Sequence, residues 1–153
     1  MSPASDPSRQ QELAAVEQRI NEMVQQSRVL EAYMNDVMSR QLTVTKLMEE
    51  ARLASTTIQN ITSESEVESL MPVGVGVYVR TTVPPIKKAL VTLGAGVALE
   101  KNREDALNYV EARIKEYEVA ARQLEAQRQE IAMRMEQVQG QINQMIRAAQ
   151  QPG

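Results

Sequence analysis

Leu70-Met71-Pro72-Val73-Gly74-Val75-Gly76-Val77-Tyr78-Val79-Arg80 is followed twenty residues later by Leu90-Val91-Thr92-Leu93-Gly94-Ala95-Gly96-Val97-Ala98-Leu99-Glu100. Leu70 aligns with Leu90, Val73 with Leu93, Gly74 and Gly76 with Gly94 and Gly96, Val77 with Val97, and Val79 with Leu99. Each unit reads as an apolar strand, a Gly-x-Gly turn or kink, and a second strand of β-branched and apolar residues. Pro84-Pro85-Ile86-Lys87-Lys88 reads as the connector between two β-hairpins. Whether each Gly-x-Gly is a tight turn or a bulge stays open at this point. A dinucleotide-binding loop needs a third glycine three residues on; those positions hold Val79 and Leu99. There is no Gly-Lys-Ser/Thr phosphate loop either, so no ATP-driven mechanism is expected.

Working outward, proline and glycine divide the chain. Neither occurs between Ser8 and Met71, and from Asn102 to Gln151 only Gly140 does. Each breaker costs a helix about 1 kcal/mol (Gly) or 3 kcal/mol (Pro), so both flanks are free to be helical. The first flank repeats every seven residues. Its a positions are Leu13, Ile20, Ser27, Met34, Gln41, Met48 and Ser55, and its d positions Val16, Met23, Leu30, Val37, Val44, Ala51 and Ile58. The second flank has Leu107, Ile114, Ala121, Arg128, Met135, Ile142 and Ala149 at a, and Val110, Tyr117, Leu124, Ile131, Val138 and Met145 at d. Apolar seams sustained over this many heptads signal a coiled coil. As helices, 9–60 and 104–148 would have similar lengths, roughly 78 and 68 Å, and the economical arrangement is an antiparallel hairpin of the two.

The 153 residues include 17 Lys or Arg and 20 Asp or Glu, for a net charge of −3. Cys, His, Phe and Trp are all absent, and Tyr occurs four times. Without Cys or His there is no thiolate or imidazole nucleophile, no disulfide and no zinc site of the usual ligands. The carboxylates, such as Glu49-Glu50, lie where solvated helix faces lie. No catalytic residue, metal or cofactor is expected, and the chain is not read as an enzyme. The charge gives no reason to expect nucleic-acid binding. No apolar run is long enough to span a membrane, and Met1-Ser2-Pro3-Ala4-Ser5-Asp6-Pro7 lacks a secretory signal's basic and apolar regions. Lack of Cys fits a reducing compartment, so the expected location is the cytoplasm.

The expected organisation is α+β: a disordered 1–8, a coiled-coil helix over 9–62, two β-hairpins over 63–101, a second coiled-coil helix over 102–149 and a disordered 150–153. Short hairpins are marginal alone in water, and with so few aromatic residues four strands cannot close a sizeable core. Strands from several chains are therefore expected to assemble into an intersubunit β-barrel. The residues expected to carry this oligomerisation are Leu70, Val73, Val75, Val77, Val79, Leu90, Val91, Leu93, Val97 and Leu99. The helix tips supply a second candidate surface. An antiparallel pair brings Leu13, Val16, Ile20 and Met23 near Met135, Val138, Ile142, Met145 and Ile146, where fraying would expose apolar side chains to a client. Met133 and Ile146 fall outside a and d and are the better candidates for standing exposure. Methionine suits varied partners because its unbranched thioether adapts.

Helix, paired hairpins and helix is the layout of prefoldin. The stretch from Leu70 to Val79 resembles the first hairpin of its α-class subunits, and Val91 to Lys101 the second. Glu104-Asp105-Ala106 to Ile114-Lys115-Glu116 resembles the start of its second helix. Two hairpins also resemble the α class, since β-class subunits carry one. The resemblance implies an ATP-independent holding chaperone, with two α and four β subunits joined through β-barrels. It further implies that apolar residues at the arm tips grip unfolded polypeptides and pass them to a group II chaperonin. The competing expectation is an α-like structural protein that forms homo-oligomeric filaments through its hairpins.

Overall fold

The computed structural model describes residues 6–61 and 64–150. Helix α1 runs Pro7–Asn60, followed by strands β1 (Val67–Gly74), β2 (Val77–Val83), β3 (Lys88–Gly94) and β4 (Val97–Asn102), and helix α2 (Arg103–Gln150). Two antiparallel hairpins thus lie between two long helices in chain order.

Helix α1 begins two residues ahead of the expected boundary, so 7 and 8 are helical and not disordered. The reason is local. Asp6 is the N-cap, its Oδ1 accepting from the Ser8 backbone N–H (3.1 Å) and the Ser8 hydroxyl (2.9 Å). Pro7 occupies the first helical position, where its missing N–H costs nothing. The expected disorder of 1–5 and 151–153 concerns residues outside those described, while Gln150 is still helical. At the other junction β4 runs to Asn102, which is also the N-cap of α2: its Oδ1 accepts from the Asp105 N–H at 2.7 Å. Glu104 and Asp105 in that first turn complement the helix dipole.

The chain divides into two compact units, 1–42 with 122–153, and 43–121. In the first, α1 and α2 pair antiparallel. Met23, Leu30, Val138 and Ile142 form its buried cluster, with Val24, Ile131, Met135 and Met145 packed against it. In the second, Ser55 donates to Glu111 (2.8 Å) and Arg52 meets Glu118 (3.9 Å), again low numbers against high within an antiparallel pair. Every a and d residue of α1 from Val16 to Ile58 is buried or half-buried. The seam read from the sequence is therefore the seam of both units, although no phenylalanine or tryptophan fills it.

The hairpins form separate two-stranded sheets, β1-β2 and β3-β4. Their registers match: Met71 pairs with Val79 as Val91 pairs with Leu99, and Leu70 with Arg80 as Leu90 with Glu100. Each Gly-x-Gly is both a turn and a bulge. The register shifts between Pro72 and Gly74 and between Thr92 and Gly94, while Val75-Gly76 (φ 53° and 76°) and Ala95-Gly96 (50° and 77°) are two-residue turns. Positive φ at both central residues is the type I′ signature, whose twist matches that of the strands.

Candidate functional site

The hairpins present one apolar face each. Side chains alternate across a strand, so Val67, Met71, Val77, Val79 and Val83 share a face of the first hairpin, and Ala89, Val91, Val97 and Leu99 a face of the second. In a self-sufficient domain these would be covered. Here Met71, Val77, Val79, Val97 and Leu99 are all exposed, and Val91 is half-buried. Leu70 and Leu90 belong to the opposite, mixed faces, across from Arg80 and Glu100. Val73 and Leu93 sit in the bulges, and Val75 in a turn. The ten candidate assembly residues therefore divide among the apolar faces, the opposite faces, the bulges and one turn. Burying apolar area is worth roughly 25 cal/mol per Å², so uncovered faces of this kind leave a driving force for association unspent in the lone chain.

The candidate client-binding residues, all in the first unit, divide by exposure. Met23 (8% exposed), Val138 and Ile142 (6%) are core of the seam, and Met135 and Met145 pack on it. Val16 and Ile20 are half-buried. Leu13 (49%), Met133 (62%) and Ile146 (39%) are open to solvent. Leu13 is exposed despite its a position. It lies in a groove of about 260 Å³ lined also by Val16, Met145, Ala148, Ala149, Arg9 and Glu12. The alanines are too short to cover it.

Polar groups form a layer within the same unit. Glu125 accepts from Arg128 Nε (2.9 Å) and from Gln41 Nε2 (2.9 Å), and it pairs with Arg128 Nη2 at 2.6 Å. Gln41 and Arg128 are both polar a residues, and the carboxylate of Glu125 accepts from each. Hydrogen bonding from Arg128, then from Gln41, holds the Glu125 carboxyl down at about 2, against a partial opposing effect of desolvation. In the second unit Arg113 donates to Tyr109 Oη (3.2 Å) and pairs with Glu116 (3.1 Å), which raises its already high pKa. Of these contacts only Gln41–Glu125 joins the two helices; the others run along α2 between residues three or four apart. Among the described residues no cluster of metal-ligating side chains occurs, and no helix is long and apolar enough to cross a membrane.

One residue escaped the sequence reading. Arg103, the first residue of α2, donates from Nε to the Ile58 carbonyl (3.0 Å) and from Nη2 to the Gln59 carbonyl (2.8 Å). Its backbone N–H donates to the Lys87 carbonyl at 3.1 Å. A single residue thus ties the end of α1, the start of α2 and the entry to β3. Only the absence of a basic residue in the last turn of α1 hinted at it.

Comparison with known proteins bears on the same residues. The family model described as prefoldin subunit matches residues 8–148. The prefoldin subunit alpha of Nitrosopumilus maritimus is 37% identical over 137 residues, 90% of this chain and 94% of that protein. The prefoldin subunit alpha of Methanospirillum hungatei is 30% identical over 128 residues, covering 79% and 86%. Among solved structures, the cryo-EM structure of filamentous PFD from Methanocaldococcus jannaschii aligns with a TM-score of 0.60 at 24% identity, over 79% of this chain and 98% of that one. That likeness shows the fold.

Proposed function

This chain belongs to the prefoldin family, as a non-enzymatic chaperone subunit of archaeal α type, and from that premise we propose how its two surfaces are used. The hairpin faces join it to other prefoldin subunits, in a hexamer of two α and four β chains whose β-barrels are completed between subunits. The helix tips hold unfolded polypeptides without nucleotide and deliver them to a group II chaperonin in the cytoplasm. The observation that carries the tip assignment is the exposure of Leu13 and Ile146 near the helix ends, where Leu13 shares a groove with Met145, Ala148 and Ala149; Met133, also exposed, lies farther along α2, beside residues that line a groove with Leu30. An exposed apolar side chain at a helix end offers unfolded chains a contact that needs no energy source, and Val29, Tyr33, Met38 and Leu42 extend such exposure along the same unit. The buried candidates, Met23, Val138 and Ile142, hold the rod together and become available to a client only when the helices part.

The test uses the full chain assembled with a β-class prefoldin subunit and a chemically denatured reporter enzyme. Replacing Leu13, Met133 and Ile146 together by Ser leaves assembly and helix content intact and weakens suppression of reporter aggregation in the absence of ATP. A variant that assembles and still protects as well as the parent refutes the tip assignment. The second reading, a homo-oligomeric filament, draws on the same uncovered strands and on the filamentous assembly named for the structural neighbour. Large particles from the chain alone in light scattering, unchanged by adding the β-class subunit, would favour it.

A further inference from the structure

We propose that the turn of the first hairpin is a binding element in its own right, with the Val75 side chain seated in an apolar pocket on a second prefoldin subunit. Val75 adopts φ 53°, left-handed backbone that a β-branched side chain enters at a steric cost. Asn or Gly would fill this position of a type I′ turn far more readily. Among the described residues nothing covers the side chain to offset the cost: Val75 is fully exposed, at 104%. A strained backbone carrying a solvated apolar side chain is a local rule broken without a local return, and such breaks concentrate at functional positions. The second hairpin is an internal control. It repeats the turn almost degree for degree with Ala95 at φ 50°, so the backbone itself does not require valine. The tip is also continuous with the apolar strand face: Val73 and Val77 flank it, both exposed, and Val77 leads into Val79. The occupant of that continuous surface is accordingly the same kind of partner, another subunit.

This inference rests on assembly through the hairpins, and its test separates the two. Dissociation constants are measured by native mass spectrometry on dilution of the full chain, alone and with a β-class subunit. Val75→Ala copies the turn of the second hairpin and so keeps a backbone the fold already accepts. It is expected to weaken assembly about tenfold, the loss of most of a buried valine's transfer free energy. Val75→Asn weakens assembly at least as much, yet in the unassembled chain it slows amide exchange in β1 and β2 by about tenfold, because the strain is relieved. Opposite signs for hairpin stability and assembly are the signature of a contact residue. If the parent assembles and Val75→Ala assembles as tightly, the inference is overturned alone. If Val79→Lys combined with Leu99→Lys leaves assembly unchanged, the hairpin reading falls and takes the inference with it.

Discussion

Replacing Arg103 by Met removes both side-chain donors from the end of α1 while preserving an unbranched aliphatic stem. The last four carbonyls of a helix have no partner within it, and α1 carries no basic residue in its final turn to serve them. Arg103 serves two, at 3.0 Å to Ile58 and 2.8 Å to Gln59. A hydrogen bond from a charged donor contributes about 1.5–3 kcal/mol when shielded and less when wet. One bond here is partly buried and the other exposed, so about 2 kcal/mol for the pair is a fair sum, including the favourable placement of a cation at a helix C-terminus. Because the effect is local, amide exchange is the suitable assay. The Ile61 N–H, bonded to the Thr57 carbonyl at 3.0 Å, reports the junction, and amides around Leu30 serve as an internal reference. A loss of about 2 kcal/mol accelerates exchange at Ile61 about thirtyfold. Arg103→Lys keeps the charge but not the two-pronged geometry, and is expected to fall midway. If Arg103→Met changes exchange at Ile61 less than twofold, or if Lys and Met behave alike, the side chain is not what closes the junction.

Three other outcomes follow from the same geometry. The Glu125 carboxyl, held at about 2, is a depressed acid; its contribution to the seam is complete above the ordinary carboxylate range and is lost only as pH falls toward about 2. A side-chain NMR titration checks this, and Arg128→Met should return the midpoint toward the ordinary value; an unmoved midpoint would show that Arg128 is not the cause. Gly140 is helical with open space around the position of an added Cβ, so Gly140→Ala should stabilise α2 by about 1 kcal/mol and slow exchange over neighbouring amides, and destabilisation would contradict the open geometry. Ile142→Ala, in the buried cluster, should cost about 2–5 kcal/mol in urea denaturation, whereas Met133→Ala at an exposed site should fall within about 0.5 kcal/mol of the parent.

The parts of this structure that were legible in the sequence are those specified by repetition. A seven-residue period locates the seam even where individual residues are polar, because Ser27, Gln41 and Ser55 are carried inward by their neighbours. The twenty-residue echo likewise locates both hairpins and predicts that they share a register. What was not legible depends on single long-range partners or on competing local signals. Asp6-Pro7-Ser8 carries a cap and a permitted proline, yet its polar, proline-containing surroundings read equally well as a disordered end. Asn102 closes a strand and opens a helix at once, two roles with different preferences, and the sequence reading assigns it to the helix whereas it ends β4. Arg103 reaches carbonyls more than forty residues away, beyond any periodicity.

The functional candidates show the same limit for a deeper reason. Heptad position ranks residues by their distance from the seam, but a client-binding surface has to be apolar and uncovered together, and those demands conflict along a coiled coil. Ordinary a and d residues meet the first and fail the second, as Met23 and Ile142 do. Met133 and Ile146 resolve the conflict by lying outside a and d. Leu13 resolves it differently: it keeps its a position but faces Ala148 and Ala149, which are too small to cover it. The hairpins meet the same demand at the scale of whole faces, since two-stranded sheets that do not pair with each other leave Val79 and Leu99 uncovered. At Leu13 and on the hairpins, apolar surface is left open because small neighbours or unpaired sheets do not close over it, and under the proposed function that surface is where clients and other subunits bind.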